Sequence, residues 1–423
     1  MAGVGSAVCG PVLAEKYRLP LPVISAHFNM KILKKERKEC KMLKKTIASI
    51  ALTANVLMMS ACNSVPSMTA QEAAKKMGVG INLGNTMEST FSSNFKDWVS
   101  IVGNNRPSDY ETCWGAIETT QEIIDGMKAE GFDTVRLPVY WGNMMEDDGT
   151  YTLNPEYAAR VKEIVDYCQK AGLYTVINIH HFDEFIIRRH STEECREIFT
   201  IIWTQIAEYF KDYPYTLMFE GYNEYLGGGK LNSKREVEDR PKDEAYELTN
   251  TLNQAFVDAV RATGGKNSDR VIIISGYWTN IDLTTAPEFI VPIDSAENRL
   301  MVSVHYVDNA FFWAKRVGSD EWLQYIDDQI ELLNNAFTSK NIPVFMGETS
   351  SIYPDENIDV SVTDRTSSKY VEIVLNKLLE NDIVPILWDV NDNFYSRTMY
   401  RIKSDDDRQM IADITEKLHN DIP

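Results

Sequence analysis

The sequence has little cysteine. It holds six in 423 residues, and only Cys113, Cys168 and Cys195 lie beyond residue 62. They are widely spaced with no Cys-x-x-Cys pair, so neither a zinc ribbon nor a disulfide scaffold is indicated. Three thiols cannot all pair with one another, and buried single cysteines are expected. Histidine is equally scarce, with no His-x-His of the kind that metal-dependent barrel hydrolases use. Adjacent residues of a strand point to opposite faces, so one metal would not take both His180 and His181. No metal or organic cofactor is called for. There is no Gly-x-Ser-x-Gly elbow, which argues against that class of serine hydrolase. The glycines of GVGINLG, Gly78, Gly80 and Gly84, miss the dinucleotide fingerprint because the third comes one residue late. Positive charge is in deficit: 43 Lys and Arg face 62 Asp and Glu, for a net −19. Nucleic acid wants a basic patch and is not an expected partner. No internal repeat or low-complexity segment is present.

The basic residues are unevenly placed. Lys31, Lys34, Lys35, Arg37, Lys38, Lys41, Lys44 and Lys45 precede the apolar stretch Thr46–Ser60. That stretch is shorter than the ~20 residues of a membrane-spanning helix but fits a secretory h-region. It runs into Met59-Ser60-Ala61-Cys62, which resembles a bacterial lipobox with Cys62 as the lipidated residue. The alternative is a generic signal peptide with an incidental cysteine. Residues 1–41 read as an extension from a start codon placed too early, 42–61 as the signal peptide, 62–69 as a tether and 70–423 as one catalytic domain. The protein is then expected to be exported, as a cell-surface or periplasmic lipoprotein that meets the membrane only through its anchor.

Strand-like and helix-like segments alternate beyond the tether. Short apolar runs occur at Val79–Leu83, Thr134–Val139, Tyr174–Ile179, Thr216–Glu220, Arg270–Ile274, Leu300–Val304, Ile342–Met346 and Ile383–Leu387. Helical patterns lie between most of them, at Thr119–Glu130, Pro155–Ala171, Glu193–Lys211, Glu244–Thr263, Asp320–Thr338 and Ser367–Glu380. This alternation predicts an α/β fold, a (β/α)8 TIM barrel, with an open doubly wound sheet as the alternative. A barrel carries its chemistry at the C-terminal ends of its strands. Those ends here hold Asn82, Arg136 with Tyr140 and Trp141, His180-His181, Asn223-Glu224, Tyr277-Trp278, His305-Tyr306, Glu348 and Trp388-Asp389.

Glu224 and Glu348 end the fourth and seventh strands, on different sides of one barrel mouth. Opposed carboxylates suit glycosidic bond cleavage, in which one gives a proton and the other attacks or activates water. Each glutamate alone would more often be a surface or capping acid; together with Arg136 and the histidines they read as a site.

The motifs GINLGNT (Gly80–Thr86), DTVRLPVYW (Asp133–Trp141), VINIHHF (Val176–Phe182), FEGYNE (Phe219–Glu224), SVHY (Ser303–Tyr306), VFMGE (Val344–Glu348) and LWD (Leu387–Asp389) stand in order at strand positions. From about Ser67 to His419 the chain resembles glycoside hydrolase family 5, nearest its endoglucanase and xyloglucanase branch. The resemblance implies an endo-acting, retaining β-1,4-glycan hydrolase, most of all an endo-β-1,4-glucanase on cellulose-like, mixed-linkage or xyloglucan chains, working through a covalent glycosyl-enzyme. Mannanase, xylanase and a catalytically weak glycan-binding lipoprotein are the alternatives. It implies a β-linked plant polysaccharide as substrate and a monomer. Glu224 would be the acid/base and Glu348 the nucleophile. Arg136, His180, Asn223, His305 and Tyr306 would support the nucleophile and position substrate. His181, Trp388, Asn82, Trp141 and Trp278 would contact sugar.

The chain departs from the family pattern at two places. Tyr225 stands where the family has proline after the acid/base. Val307 stands where it has a tyrosine beside the nucleophile, two residues after the strand-six histidine. Either the strand end bulges so that Tyr306 serves, or the site lacks that hydroxyl.

Overall fold

The computed structural model describes residues 66–90, 102–224, 230–231, 237–238, 240–314, 317–350 and 367–421. Cys62, the expected signal segment, residues 1–41 and Tyr225 lie outside them. Eight parallel strands close into a barrel: β1 (Gly80–Asn82), β2 (Thr134–Leu137), β3 (Tyr174–Asn178), β4 (Leu217–Glu220), β5 (Ile272–Ser275), β6 (Leu300–His305), β7 (Val344–Ser350) and β8 (Ile383–Trp388). Neighbours in sequence are neighbours in the sheet, and β8 pairs back onto β1. The fold is therefore the (β/α)8 barrel, not the open sheet.

The helices between strands follow from ordinary local signals. Asn154 caps the helix Pro155–Lys170 by accepting from the amides of Glu156 and Tyr157, and Pro155 fills the first turn. Ser191 and Glu194 form a capping box ahead of Thr192–Phe210. That helix buries Cys195, Ile198, Phe199, Ile202, Trp203 and Ile206, a stripe at helical spacing that faces the sheet. Cys168 and Cys195 are buried free thiols on such faces, while Cys113 is half-buried and also free.

The sequence reads as helical just ahead of Gly78, and the structure has the helix Ala70–Met77 there. Thr69 and Glu72 cap it reciprocally. Its Ala70, Ala73 and Met77 pack with Val176, Met218, Ile273, Met301 and Phe345, the apolar lining of the barrel's lower half. Residues two apart on a strand share a face. Moving up each strand, Val176 therefore gives way to Asn178, Met218 to Glu220, and Met301 to Ser303 and His305. The inner wall turns from apolar to polar, and these polar residues are all buried. Buried polar groups must be paired, so this layer is bound to be a hydrogen-bonded network.

Candidate active site

Arg136, on β2, is wholly buried and sits at the centre of that network. Its Nε donates to Glu220 Oε2 at 2.7 Å and its Nη1 to Asn82 Oδ1 at 2.9 Å. Nη1 also donates to Glu348 Oε1 at 3.1 Å, and Nη2 to Asn223 Oδ1 at 2.7 Å. One guanidinium thus links four strand ends, using the fixed fork of donors that lysine lacks.

Glu224 lies across from Glu348. His305 Nδ1 is 2.8 Å from Glu224 Oε1 and 3.7 Å from Glu348 Oε2. An oxygen of each glutamate and a ring nitrogen of His305 all lie within 4.8 Å of one another. That spacing would admit a small cation, but Arg136 already brings a positive charge to Glu348. Inverting glycosidases separate their carboxyl groups by roughly 6.5–9.5 Å to leave room for water, and retaining ones by roughly 5–5.5 Å. The oxygens here fall on the short side.

The hydroxyl of Tyr306 lies against Glu348. Tyr306 Oη donates to Glu348 Oε2 at 3.3 Å, and Val307 turns into the core. The bulge that makes this possible lies on β7, not on β6. Val304 pairs with Met346 while His305 pairs with Glu348, so Gly347 is the extra residue. A Cβ on Gly347 would lie 2.9 Å from His305 Nε2 and 3.1 Å from Glu220 Oε1, so the bulge needs glycine. Tyr306 itself adopts φ +51°, an uncommon backbone state for a bulky residue.

Charge states follow from burial and neighbours. Burial pushes the Glu348 carboxyl up; the His305 ring opposes this, Glu224 adds to it and Arg136 opposes it. Burial also works against the Arg136 cation, but Glu220 and then Glu348 more than offset it and its pKa is raised. Tyr306 is held well above the usual phenol value by burial, with Glu348 and Glu224 reinforcing it, and so stays an O–H donor. His180 is held well below the imidazole range by burial, and burial brings His181 down to about 4. Both rings are neutral at pH 7.

The other sequence-predicted residues divide. Trp388 is half-buried at the end of β8, its ring parallel to that of His180 at 6.4 Å between centroids. Asp389 accepts from the amides of Phe394 and Tyr395, which ties down the turn after Trp388. His181 is half-buried between His180, Trp114 and Tyr140. Trp278 is 43% exposed in a short turn after β5. Two residues taken as sugar contacts lie elsewhere. Asn82 is fully buried and spends its amide on the carbonyls of Gly347 and Leu387 and its oxygen on Arg136. Trp141 is also buried, its indole N–H donating to the Asn178 carbonyl at 2.8 Å. Both brace the barrel wall because their partners leave nothing to face the cleft.

Sequence reasoning missed Glu220, Asn178 and Ser303. Glu220 accepts from Arg136, from Asn178 Nδ2 at 3.1 Å and from Ser303 Oγ at 2.7 Å. The signal was available: a buried Arg136 needs an anion, and Glu220 is the acidic residue inside the apolar run LMFE. The half-exposed Trp114, whose indole N–H donates to the Thr90 carbonyl, was likewise not picked out.

Known proteins are similar to this chain over most of its length. The family model for cellulase (glycosyl hydrolase family 5) matches residues 99–394. A xyloglucan-specific endo-β-1,4-glucanase of Bacteroides ovatus is 31% identical over 356 residues, covering 78% of this chain and 67% of that protein. Endoglucanase A of Paenibacillus barcinonensis is 32% identical over 356 residues, covering 76% and 83%. A solved broad-specificity endoglucanase from an uncultured bovine rumen ciliate superposes with a TM-score of 0.68 at 29% identity, covering 83% of this chain and 99% of that one. The Bacteroides ovatus xyloglucanase in complex with a XXXG heptasaccharide superposes with a TM-score of 0.68 at 27% identity, covering 84% and 78%. The chain belongs to glycosyl hydrolase family 5, the cellulase family.

Proposed function

We propose that the protein is a retaining endo-β-1,4-glucanase that cuts cellulose-like, mixed-linkage or xyloglucan chains. The observation that carries this reading is the close pair Glu224 and Glu348, with Arg136 and Tyr306 both directed at Glu348. Glu224 protonates the glycosidic oxygen as Glu348 attacks the anomeric carbon, and a glycosyl-enzyme ester forms. Glu224, now ionised, takes a proton from water, which releases the sugar with its configuration retained. His305 holds Glu224 in place through its Nδ1. Asn223 has its oxygen engaged by Arg136, which leaves its amide N–H groups for the sugar 2-hydroxyl. Trp388 offers a ring face to the sugar at the cleavage point, and His181 and Trp278 border the path. The preference for glucan rests on the endoglucanase and xyloglucanase relatives. One chain supplies every group named, so a monomer carries a complete site.

The test is reducing-end release on carboxymethylcellulose, barley β-glucan, xyloglucan, glucomannan, galactomannan and xylan. Glucan cleavage to mixed oligosaccharides is expected. Activity confined to galactomannan or xylan would make the protein a mannanase or xylanase instead. Binding without cleavage would make it a glycan-binding protein.

Tyr306→Phe tests the substituted hydroxyl. Removing a donor aimed at the reacting carboxylate is expected to lower kcat/KM by roughly 100-fold. A change of less than about threefold would mean that Tyr306 is idle and that the site works without the family's tyrosine.

We further propose that the protein is exported and lipid-anchored through Cys62, on the strength of the lipobox-like Met59–Cys62. Cys62→Ser should move it from the membrane fraction to the soluble one. Equal partitioning of both forms would leave a plain signal peptide.

A further inference from the structure

Glu220 is a fully buried carboxylate that the hydrolytic steps above do not use. Three donors from three strands fix it: Arg136 on β2, Asn178 on β3 and Ser303 on β6. It has no exposed surface with which to meet substrate. Yet it holds the same guanidinium as Glu348, and more closely, at 2.7 Å against 3.1 Å.

We infer that Glu220 is a positioning residue that aims Arg136 and takes up part of its charge, so that Glu348 remains basic enough to attack. The inference rests on the hydrolase reading, in which Glu348 is the nucleophile. The physical problem is a shared cation. An arginine paired with Glu348 alone would stabilise the carboxylate strongly and make it a poor nucleophile. An arginine already paired with a second buried anion offers orientation with less net charge. The groups facing Glu348 are Arg136 from β2, Glu220 and Glu224 from β4 and the turn beyond it, and His305 and Tyr306 from the end of β6. Of the acids, Glu224 is the partly exposed one at the mouth and Glu220 the one sealed in the wall. The Glu220 charge raises the Glu348 pKa, as this placement requires.

The alternative is that Glu220 only satisfies a buried arginine and matters for folding. Glu220→Gln separates the two. The amide keeps the shape, still accepts from Arg136 and removes the charge. Kinetics against pH on the best glucan would be measured for the full chain and this variant, alongside thermal melting. The inference expects the acid limb of kcat/KM to move to lower pH and plateau kcat to fall, with KM little changed. An acid limb that stays in place, whatever the loss of activity, overturns it. A native chain that cleaves no glucan would instead sink the functional reading, so the two failures are distinct. If Glu220→Gln does not fold, Glu220→Asp carries the test. It keeps the charge but withdraws it from Arg136, and the acid limb should shift the same way by less. An unmoved limb in that variant overturns the inference equally.

Discussion

Glu348→Gln is expected to lower kcat on a soluble β-glucan by at least about 10,000-fold while leaving binding nearly unchanged. The amide occupies the same volume and keeps an oxygen for Arg136 Nη1, but it cannot form the glycosyl ester. Its effect on stability should be small and not unfavourable. Burial disfavours the carboxylate at this position, so a neutral isostere relieves that cost while giving up the Arg136 ion pair. Turnover by direct assay and binding by calorimetry, with melting as a check on folding, would separate these effects. Near-native turnover would show that another group attacks.

Glu224→Gln should behave differently with different leaving groups. On polysaccharide, loss of the proton donor is expected to cost roughly 100- to 10,000-fold. On an aryl cellobioside with an acidic phenol the first step needs no proton, so kcat/KM should fall much less, while kcat still falls because water has lost its base. Equal losses of kcat/KM on both substrates would remove Glu224 from the acid role. The pH profile is a check as well. Attack needs Glu348 ionised, and burial raises its pKa. Glu224 is protonated and uncharged at that step, so replacing it with the neutral amide should leave the acid limb for the aryl substrate in place.

Much of the barrel was legible because its signals are local. Each strand is a short apolar run, and several long helices carry their own cap and stripe, as Thr192–Phe210 does with Ser191, Glu194 and the Cys195–Ile206 face. The helix Ala70–Met77 was legible as a helical segment before Gly78, but its place in the fold was not. It is short, it carries Glu72, Lys75 and Lys76, and only Ala70, Ala73 and Met77 are buried. What it packs against comes from strands spread over the rest of the chain.

The site divides in the same way. The strand-end rule brought Glu224, Glu348, Arg136, His305 and Asn223 to attention, and they lie together. It could not tell a wall residue from a cleft residue. Asn82 looked like a sugar contact until its partners, 54 to 305 positions away in sequence, were seen to be Arg136, Gly347 and Leu387. Trp141 failed for the same reason, since the Asn178 carbonyl that holds it belongs to another strand. Val307 left two outcomes open. The Tyr306 hydroxyl lies 3.3 Å from Glu348, beside one extra residue at Gly347 on the neighbouring strand, and no periodicity in β6 could report that.

The measurement that tests the account most directly is covalent labelling with a 2-deoxy-2-fluoro-β-cellobioside bearing a good leaving group, followed by peptide mapping. The fluorine slows breakdown of the glycosyl-enzyme and lets it accumulate. The account predicts one sugar per chain, attached to Glu348. A label on any other residue, or no label from a chain whose products invert their anomeric configuration, would contradict it.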